Sequence, residues 1–400
     1  MPRTTGSKNR KNKGVVRTLN FDKQVAGAPV CRETPNKWVS YGLKNDYPLQ
    51  LIDLFNTSVT HRSCVEFAAN AIVGDGIDWE SLGVEDPRMY YPNEDMSWDE
   101  FIKAMSFNYV LFGAFGFQVI RSMDGNSYSF YPQPVETIRL EERDSEGKSQ
   151  GAYLCKDWTA WNKYGVSYIR LFDGKTEIPR GEPFLFYWRK ANPVVDYYGL
   201  PAYTSAINAI QAEAQYQVYD LKSVVNGFCP MGSLTLPQVD TEEERAELIR
   251  QVQQLFSGAE NANSLIITFR SNIEDSPIAF TPFTQNSEGV NLYESANDRT
   301  VNRIIAAHRI PSKGLIGLPI DDTGFSNSGE YLQTAYNLYN VNVAKSNRGD
   351  IMNAINSMLE LNGIDFQLTL KPLSYVTAST DTQEPRNEEQ TPTNDEQTPT

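Results

Sequence analysis

The sequence predicts an α+β fold built around two long helices that bracket a small β/α/β insert. Three observations predict it. Residues 202–225 contain neither Gly nor Pro, which at about 1.5 Å per residue makes a rod of roughly 36 Å. Residues 291–308 form a second uninterrupted helical run, and the 231–283 stretch between the two reads as strand, helix, strand and strand. A Gly/Ser-rich loop, IPSKGLIGLPIDDTGFSNSGE, follows the second rod. Two rods around a small domain suggest a spoke or stalk; they do not suggest a catalytic cleft.

The elements follow in chain order. Asp46 and Pro48 start a helix that runs through Leu49, Ile52 and Phe55. Thr57 or Ser58 can cap a second helix, whose stripe of Cys64, Phe67, Ala68, Ala71 and Ile72 ends at Gly74. Ser97 and Glu100 form a capping box before FIKAMSFNYVLF, and Gly113 and Gly116 break that run into a strand at 117–120. Segments 128–131, 137–140, 152–154, 166–172 and 184–188 are rich in Tyr, Phe, Val and Ile and predict an antiparallel, partly open sheet. The turn Tyr198-Gly199-Leu200-Pro201 then launches the first rod, where Ala202, Ala206, Ala209, Ala212 and Ala214 leave narrow faces for a neighbouring helix.

In the insert, residues 232–236 read as a strand, and Thr241 with Glu244 forms a second capping box. The stripe Leu248, Ile249, Val252, Leu255 and Phe256 ends at Gly258, and 264–269 and 278–283 supply two more strands. The unit is small enough to be marginal alone. A long helical run, 330–361, and a closing strand, 366–370, complete the order. The expected divisions are a basic arm with an entry segment (1–40), a mixed α/β domain (41–201), the first rod (202–228), the insert (229–287), the second rod (288–310), the loop (311–330), the long helix with its strand (331–376) and an acidic tail (377–400).

Composition narrows the function. With 400 residues, 40% hydrophobic and 22% charged, the chain is an ordinary globular protein of two or three domains. No apolar run is long enough to span a bilayer, no apolar segment backs the charges of MPRTTGSKNRKNKG as a signal peptide would require, and a cytoplasmic origin is expected. Cys31, Cys64, Cys155 and Cys229 lie far apart and indicate neither a zinc cluster nor a disulfide framework. A net charge of −14 argues against tight general binding of nucleic acid, although Arg3, Lys8, Arg10, Lys11, Lys13 and Arg17 precede the first acid, Asp22. Both ends, the basic arm and the tail beyond Thr377, are expected to be disordered.

Catalytic signatures are missing: no Walker A loop, no H-E-x-x-H, no G-x-S-x-G and no kinase set occurs. No cofactor is expected. His61, within a helix, and His308, at a helix end where an imidazolium would meet the helix dipole favourably, are the two histidines, and both read as structural. Asp321 and Asp322 are the best carboxylate pair for a metal or acid/base chemistry, but adjacent acids point apart and a solvated loop is the plainer reading.

The order of LQLIDLFNTSV…CVEFAANAIVGDGI, WDEFIKAMSFNYVLFGAFGFQVI, YGLPAYTSAINAI running to NGFCPMGSL, and HRIPSKGLIGL before FSNSGEY resembles the tailed-bacteriophage portal proteins, the head-to-tail connectors, over residues 40–372. The chain departs from many of them in having Phe186-Tyr187-Trp188-Arg189 where a histidine is common before the YG turn, and its short C-terminal part leaves little material for a crown domain. The resemblance implies a homo-oligomeric ring, typically a dodecamer, at one capsid vertex of a virion assembled in the host bacterial cytoplasm. Double-stranded DNA would pass through it, with the packaging terminase, a head-tail adaptor and a major capsid or scaffold protein as partners.

The 41–201 domain becomes the wing, the rods the stem and the insert the clip. The clip helix, through Glu243, Arg245, Glu247 and Arg250, becomes a docking surface. The 311–330 loop becomes a tunnel loop, facing DNA through Ser312, Lys313, Gly314, Asp321, Asp322, Ser326, Asn327 and Ser328. Twelve copies at −14 each carry a formal −168, a wall that repels phosphate over about a nanometre. Two rival readings stand beside it: a carboxylate-dependent hydrolase using Asp321 and Asp322, and a minor capsid protein without a channel.

Overall fold

The computed structural model describes residues 28–34, 38–85, 90–226, 232–237, 241–256, 265–270, 279–282, 287–320 and 329–373. The expected disorder of the basic arm and of the acidic tail concerns segments outside the described residues.

Three helices open the 41–201 segment, and local chemistry sets their ends. Helix α1 (Tyr47–Thr57) carries Pro48 in its first turn, where the missing N–H costs nothing. Helix α2 (Val59–Val73) is capped by the Ser58 hydroxyl, which accepts from the His61 N–H at 3.1 Å. At its other end Arg348 donates to the carbonyls of Ala71 and Ile72, both at 2.8 Å. Helix α3 (Trp98–Phe112) has both bonds of the expected capping box and stops at Gly113, whose φ of 69° is left-handed.

The sheet follows: β1 (Ala114–Arg121), β2 (Tyr128–Pro132), β3 (Ile138–Leu140), β4 (Gly151–Leu154), the one-turn helix α4 (Trp161–Tyr164), β5 (Ser167–Leu171) and β6 (Pro183–Arg189). Its order is β2-β1-β6-β5-β4-β3. The expectation of an antiparallel sheet needs one correction, because β5 and β6 run parallel. The long antiparallel register of β6 with β1, from Ala114↔Arg189 to Ile120↔Pro183, fixes the direction of β6. Strand β5 meets it only at Arg170↔Phe184 and Leu171↔Leu185.

A 3₁₀ turn (Ala202–Ala206) precedes α5 (Ile207–Asn226), so the α-helical rod begins later than the sequence suggested. The Thr204 hydroxyl donates to the Pro201 carbonyl at 2.6 Å and tightens that turn. The insert comprises β7 (Gly232–Pro237), α6 (Glu242–Phe256), β8 (Leu265–Arg270) and β9 (Ala279–Pro282). Its sheet order is β8-β7-β9, with β7 parallel to β8 and antiparallel to β9. Helix α7 (Ser287–Ala307) returns along α5.

The long C-terminal run is α8 (Gly329–Tyr339), a π-helical turn (Asn340–Ala344) and α9 (Lys345–Leu359). The closing strand expected at 366–370 is instead an extended segment that makes one isolated bridge, Ile77↔Leu370. Backbone bonds tie it to residues 75–78, from the Asp78 N–H to the Thr369 carbonyl and from the Lys371 N–H to the Gly76 carbonyl, each at 2.9 Å, while the Asn356 side chain holds the Leu368 backbone in both directions at 2.8 and 3.2 Å.

Two apolar clusters fill the wing. One joins α1, α2 and the inner face of the sheet to Tyr203, Ile207 and Ile210 of the first rod and to Ile304 and Ile305 of the second. The other lies between α3, β1, β6 and α9, around Phe101, Phe117, Phe184 and Ile355. Both rods are therefore rooted at one end in the first of these clusters.

Candidate functional site

The root of the first rod forms where Gly113, expected to break a helical run into a strand, meets Gly199 of the turn that launches the rod. A Cβ at Gly113 would lie 2.5 Å from the Leu200 carbonyl oxygen, and one at Gly199 would lie 2.4 Å from the Gly113 oxygen. Only glycine lets these backbones approach so closely. Tyrosine hydroxyls fix the junction: Tyr41 donates to the Gly199 carbonyl and Tyr203 to that of Leu111, each at 2.7 Å. The Tyr41 and Tyr198 rings stack 4.1 Å apart, and the Tyr198 hydroxyl donates to the Val39 carbonyl.

Beside this junction Arg139 is fully buried. Its guanidinium donates to the carbonyls of Asn45 and Ile138 at 2.7 Å and of Glu136 at 3.1 Å, and it faces the rings of Trp158 and Tyr41. Burial lowers its pKa to about 10, which leaves it charged at neutral pH.

The two histidines, 247 residues apart in sequence, meet in the core with His61 Nδ1 and His308 Nε2 at 3.0 Å. The Tyr203 ring lies edge-on to His61 and stacked on His308. Burial lowers His61 to about 3 and holds His308 well below its ordinary value, the latter also through His61. Both are neutral, so the expected imidazolium at a helix end is corrected: desolvation outweighs the helix dipole. His61 Nε2 has no hydrogen-bond partner. A proton on His61 Nδ1, donated to His308, leaves only a lone pair unmet there and is the cheaper tautomer.

Farther out, α5 turns its side chains to solvent. Val218, Tyr219 and Leu221 are 42%, 57% and 64% exposed. A groove of about 1220 Å³ runs between α1 and α5, walled by Asp46, Gln50, Asp53, Gln211, Gln215 and Leu221 among others.

On the insert helix, Glu243, Glu247 and Arg250 are exposed and Arg245 is half-buried; Arg250 pairs with Glu247 at 2.9 Å. The Thr241 hydroxyl accepts from the Glu244 N–H at 3.3 Å, one arm of the expected capping box. In the 311–330 loop, Ser312 is buried and caps a 3₁₀ turn (Lys313–Ile316), accepting from the Gly314 N–H at 3.3 Å. That hydroxyl is committed within the subunit. Gly314 is enclosed by the side chains of Ile320 and Leu332, and Lys313 is half-buried. Asp321, Asp322, Ser326, Asn327 and Ser328 lie outside the described residues.

Among the described residues no group of three or more His, Cys, Asp or Glu could hold a metal ion, and no helix is long and apolar enough to cross a membrane. Glu213, Arg139 and the meeting of the histidines were not found by sequence reasoning. The scarcity of histidine was the one available hint.

The family model for phage portal proteins matches residues 88–339. This chain belongs to the phage portal protein family. The match runs from the wing through both rods and the insert into α8. No curated protein sequence matches the chain. Among solved structures, a chain from the virion of a native gene transfer agent particle has a TM-score of 0.56 at 16% identity, covering 86% of each chain. A chain from the neck of the native particle, computed with C12 symmetry, gives 0.54 at 17% identity over 87% of this chain and 86% of that one. A phage portal protein of the HK97 family from Corynebacterium diphtheriae superposes less well, with a TM-score of 0.43 at 10% identity, 80% of this chain and 95% of that one. The family match, together with the mixed helices and sheets, establishes the portal-like α+β fold for this chain.

Proposed function

We propose that this portal-family chain assembles into a ring of twelve copies at one capsid vertex and forms the channel for packaging and ejecting double-stranded DNA. The family match across wing, stem and insert carries the reading. Two further observations support it. The neck to which the chain of similar fold belongs was computed with C12 symmetry. Val218 and Leu221 also give the stem an exposed apolar surface, as a helix awaiting a neighbour would.

In this ring the insert helix, with Glu243, Arg245, Glu247 and Arg250, is the docking surface for the packaging terminase and later the head-tail adaptor. The wing meets capsid or scaffold protein. The 320–328 segment and Lys313 lie toward DNA and support it without holding it, since the subunit's charge of −14 keeps the wall repulsive. The ring is a virion component assembled in the host cytoplasm, and its work is mechanical and not enzymatic. Neither the hydrolase reading nor the channel-less capsid reading draws support from the family or the fold.

Light scattering of purified protein at micromolar concentration should give a mass many times 45.1 kDa. Deleting residues 320–328 should leave the mass unchanged while lowering the yield of filled capsids, and Lys313→Ala should do the same more weakly. Normal filled-capsid yields from the deletion would refute the loop's role. Loss of a hydrolytic activity in Asp321→Ala/Asp322→Ala protein would favour the enzyme instead.

A further inference from the structure

The first turn of α2 holds a feature that ring formation does not require. Glu213, on the inner face of α5, is only 6% exposed. Its carboxylate accepts from the Ser58 hydroxyl, from the Thr60 hydroxyl at 2.6 Å and from the Thr60 N–H at 3.2 Å. Ser58 in turn accepts from the His61 N–H at 3.1 Å, and His61 contacts His308, which follows the last turn of α7. One polar chain thus runs from α5 through the start of α2 to the end of α7, inside an apolar core. The partners of the Glu213 charge are three donors and the positive end of the α2 dipole, not a cation.

We propose that Glu213 is a positioning residue that locks the stem to the wing by capping α2 from α5, with the His61–His308 contact as the matching lock on α7. The inference rests on the stem assignment but not on ring size or DNA passage. A buried carboxylate is stable only when its donors converge on it, so its bonds form at one relative placement of α5 and α2. Apolar packing alone tolerates small sliding between helices; this cluster does not. The sliding it prevents would tilt the exposed outer part of α5, where Val218 and Leu221 lie. At 6% exposure, Glu213 itself meets no DNA.

Hydrogen–deuterium exchange on the purified full-length assembly tests the lock. Glu213→Gln keeps the shape of the side chain but turns one accepting oxygen into a donor facing the Ser58 hydroxyl. Exchange over residues 207–221 should rise about tenfold, while β1 and β6 keep their protection. Ser58→Ala should produce a smaller rise in the same segment, and the double variant should fall short of the sum of the two, because both remove the Ser58–Glu213 bond while Ser58→Ala also loses the bond from the His61 N–H. Phe130→Leu, a core change away from the cluster, should raise exchange in the sheet first. If Glu213→Gln protein does not fold, Thr60→Val, which removes one donor and keeps the shape, is read by the same criteria. A uniform rise over stem and sheet, additive effects of the two changes, or unchanged exchange in α5 would each overturn the proposal. Light scattering on the same samples separates its failure from failure of the ring reading.

Discussion

Replacing Gly113 with alanine should be among the most damaging single-methyl changes in this chain, and its cost can be worked from the contacts. At φ +69° an L-residue is strained by about 1–2 kcal/mol. The added Cβ would also sit 2.5–2.9 Å from three backbone atoms of Leu200. Those atoms cannot rotate away as a side chain would. Gly113 is itself tied on both sides, its N–H donating to the Tyr109 carbonyl and its carbonyl accepting from the Lys190 N–H, each at 2.9 Å. Overpacking of this kind costs about 1–3 kcal/mol, giving a total of about 2–5 kcal/mol.

Gly83 is the internal control, because its φ of +66° is nearly the same and nothing lies within 4 Å of its Cβ position. Gly83→Ala should cost only the strain of about 1–2 kcal/mol. Gly199→Ala isolates the other contribution, since its Cβ would lie 2.4 Å from the Gly113 oxygen without a positive φ. Denaturant midpoints of the three variants, measured at one protein concentration, decide the matter. Equal losses for Gly113→Ala and Gly83→Ala would refute the claim that close backbone approach holds the stem's root.

Three further outcomes follow from the same contacts. Stability should fall as pH drops below about 6.5, because the unfolded chain then protonates both histidines while the folded chain keeps His61 neutral to about 3 and holds His308 well below its ordinary value; the slope is about 1.4 kcal/mol per pH unit for each. His61→Phe should flatten that slope between pH 6 and 4, and an unchanged slope would contradict the buried neutral pair. Arg139→Lys should destabilise nearly as much as Arg139→Met, by about 3 kcal/mol in thermal unfolding, since an ammonium cannot reach the three carbonyls that the planar guanidinium serves; a loss under 1 kcal/mol for lysine would contradict this. Leu221→Asp, at a site 64% exposed, should leave the subunit's circular dichroism unchanged and lower the assembled mass in light scattering, whereas an unchanged mass would exclude this face from the interface.

Much of the fold was legible because local chemistry carries it. Ser97 and Glu100 close their capping box, Ser58 caps α2, Pro48 sits in the first turn of α1, and the insert forms its strands and helix in the expected order. What escaped depends on residues distant in sequence. The direction of β6 is fixed by its register with β1, which alternation within either strand cannot reveal. The segment ending at Leu370 alternates like a strand, yet its pairing with residues 75–78 stops at one bridge, and upstream the Asn356 amide takes the Leu368 backbone. Nothing in the local sequence singles out Glu213, and only the fold brings Ser58 and Thr60, over 150 residues away, to meet it. The histidines' burial likewise depends on how α2 and α7 cross.

The proposed function depends on assembly into a closed ring. Electron microscopy of the purified full-length chain should give end-on views of a closed ring with a central hole and twelve-fold symmetry. A population of single, well-folded subunits at high concentration, or closed particles without a hole, would contradict it.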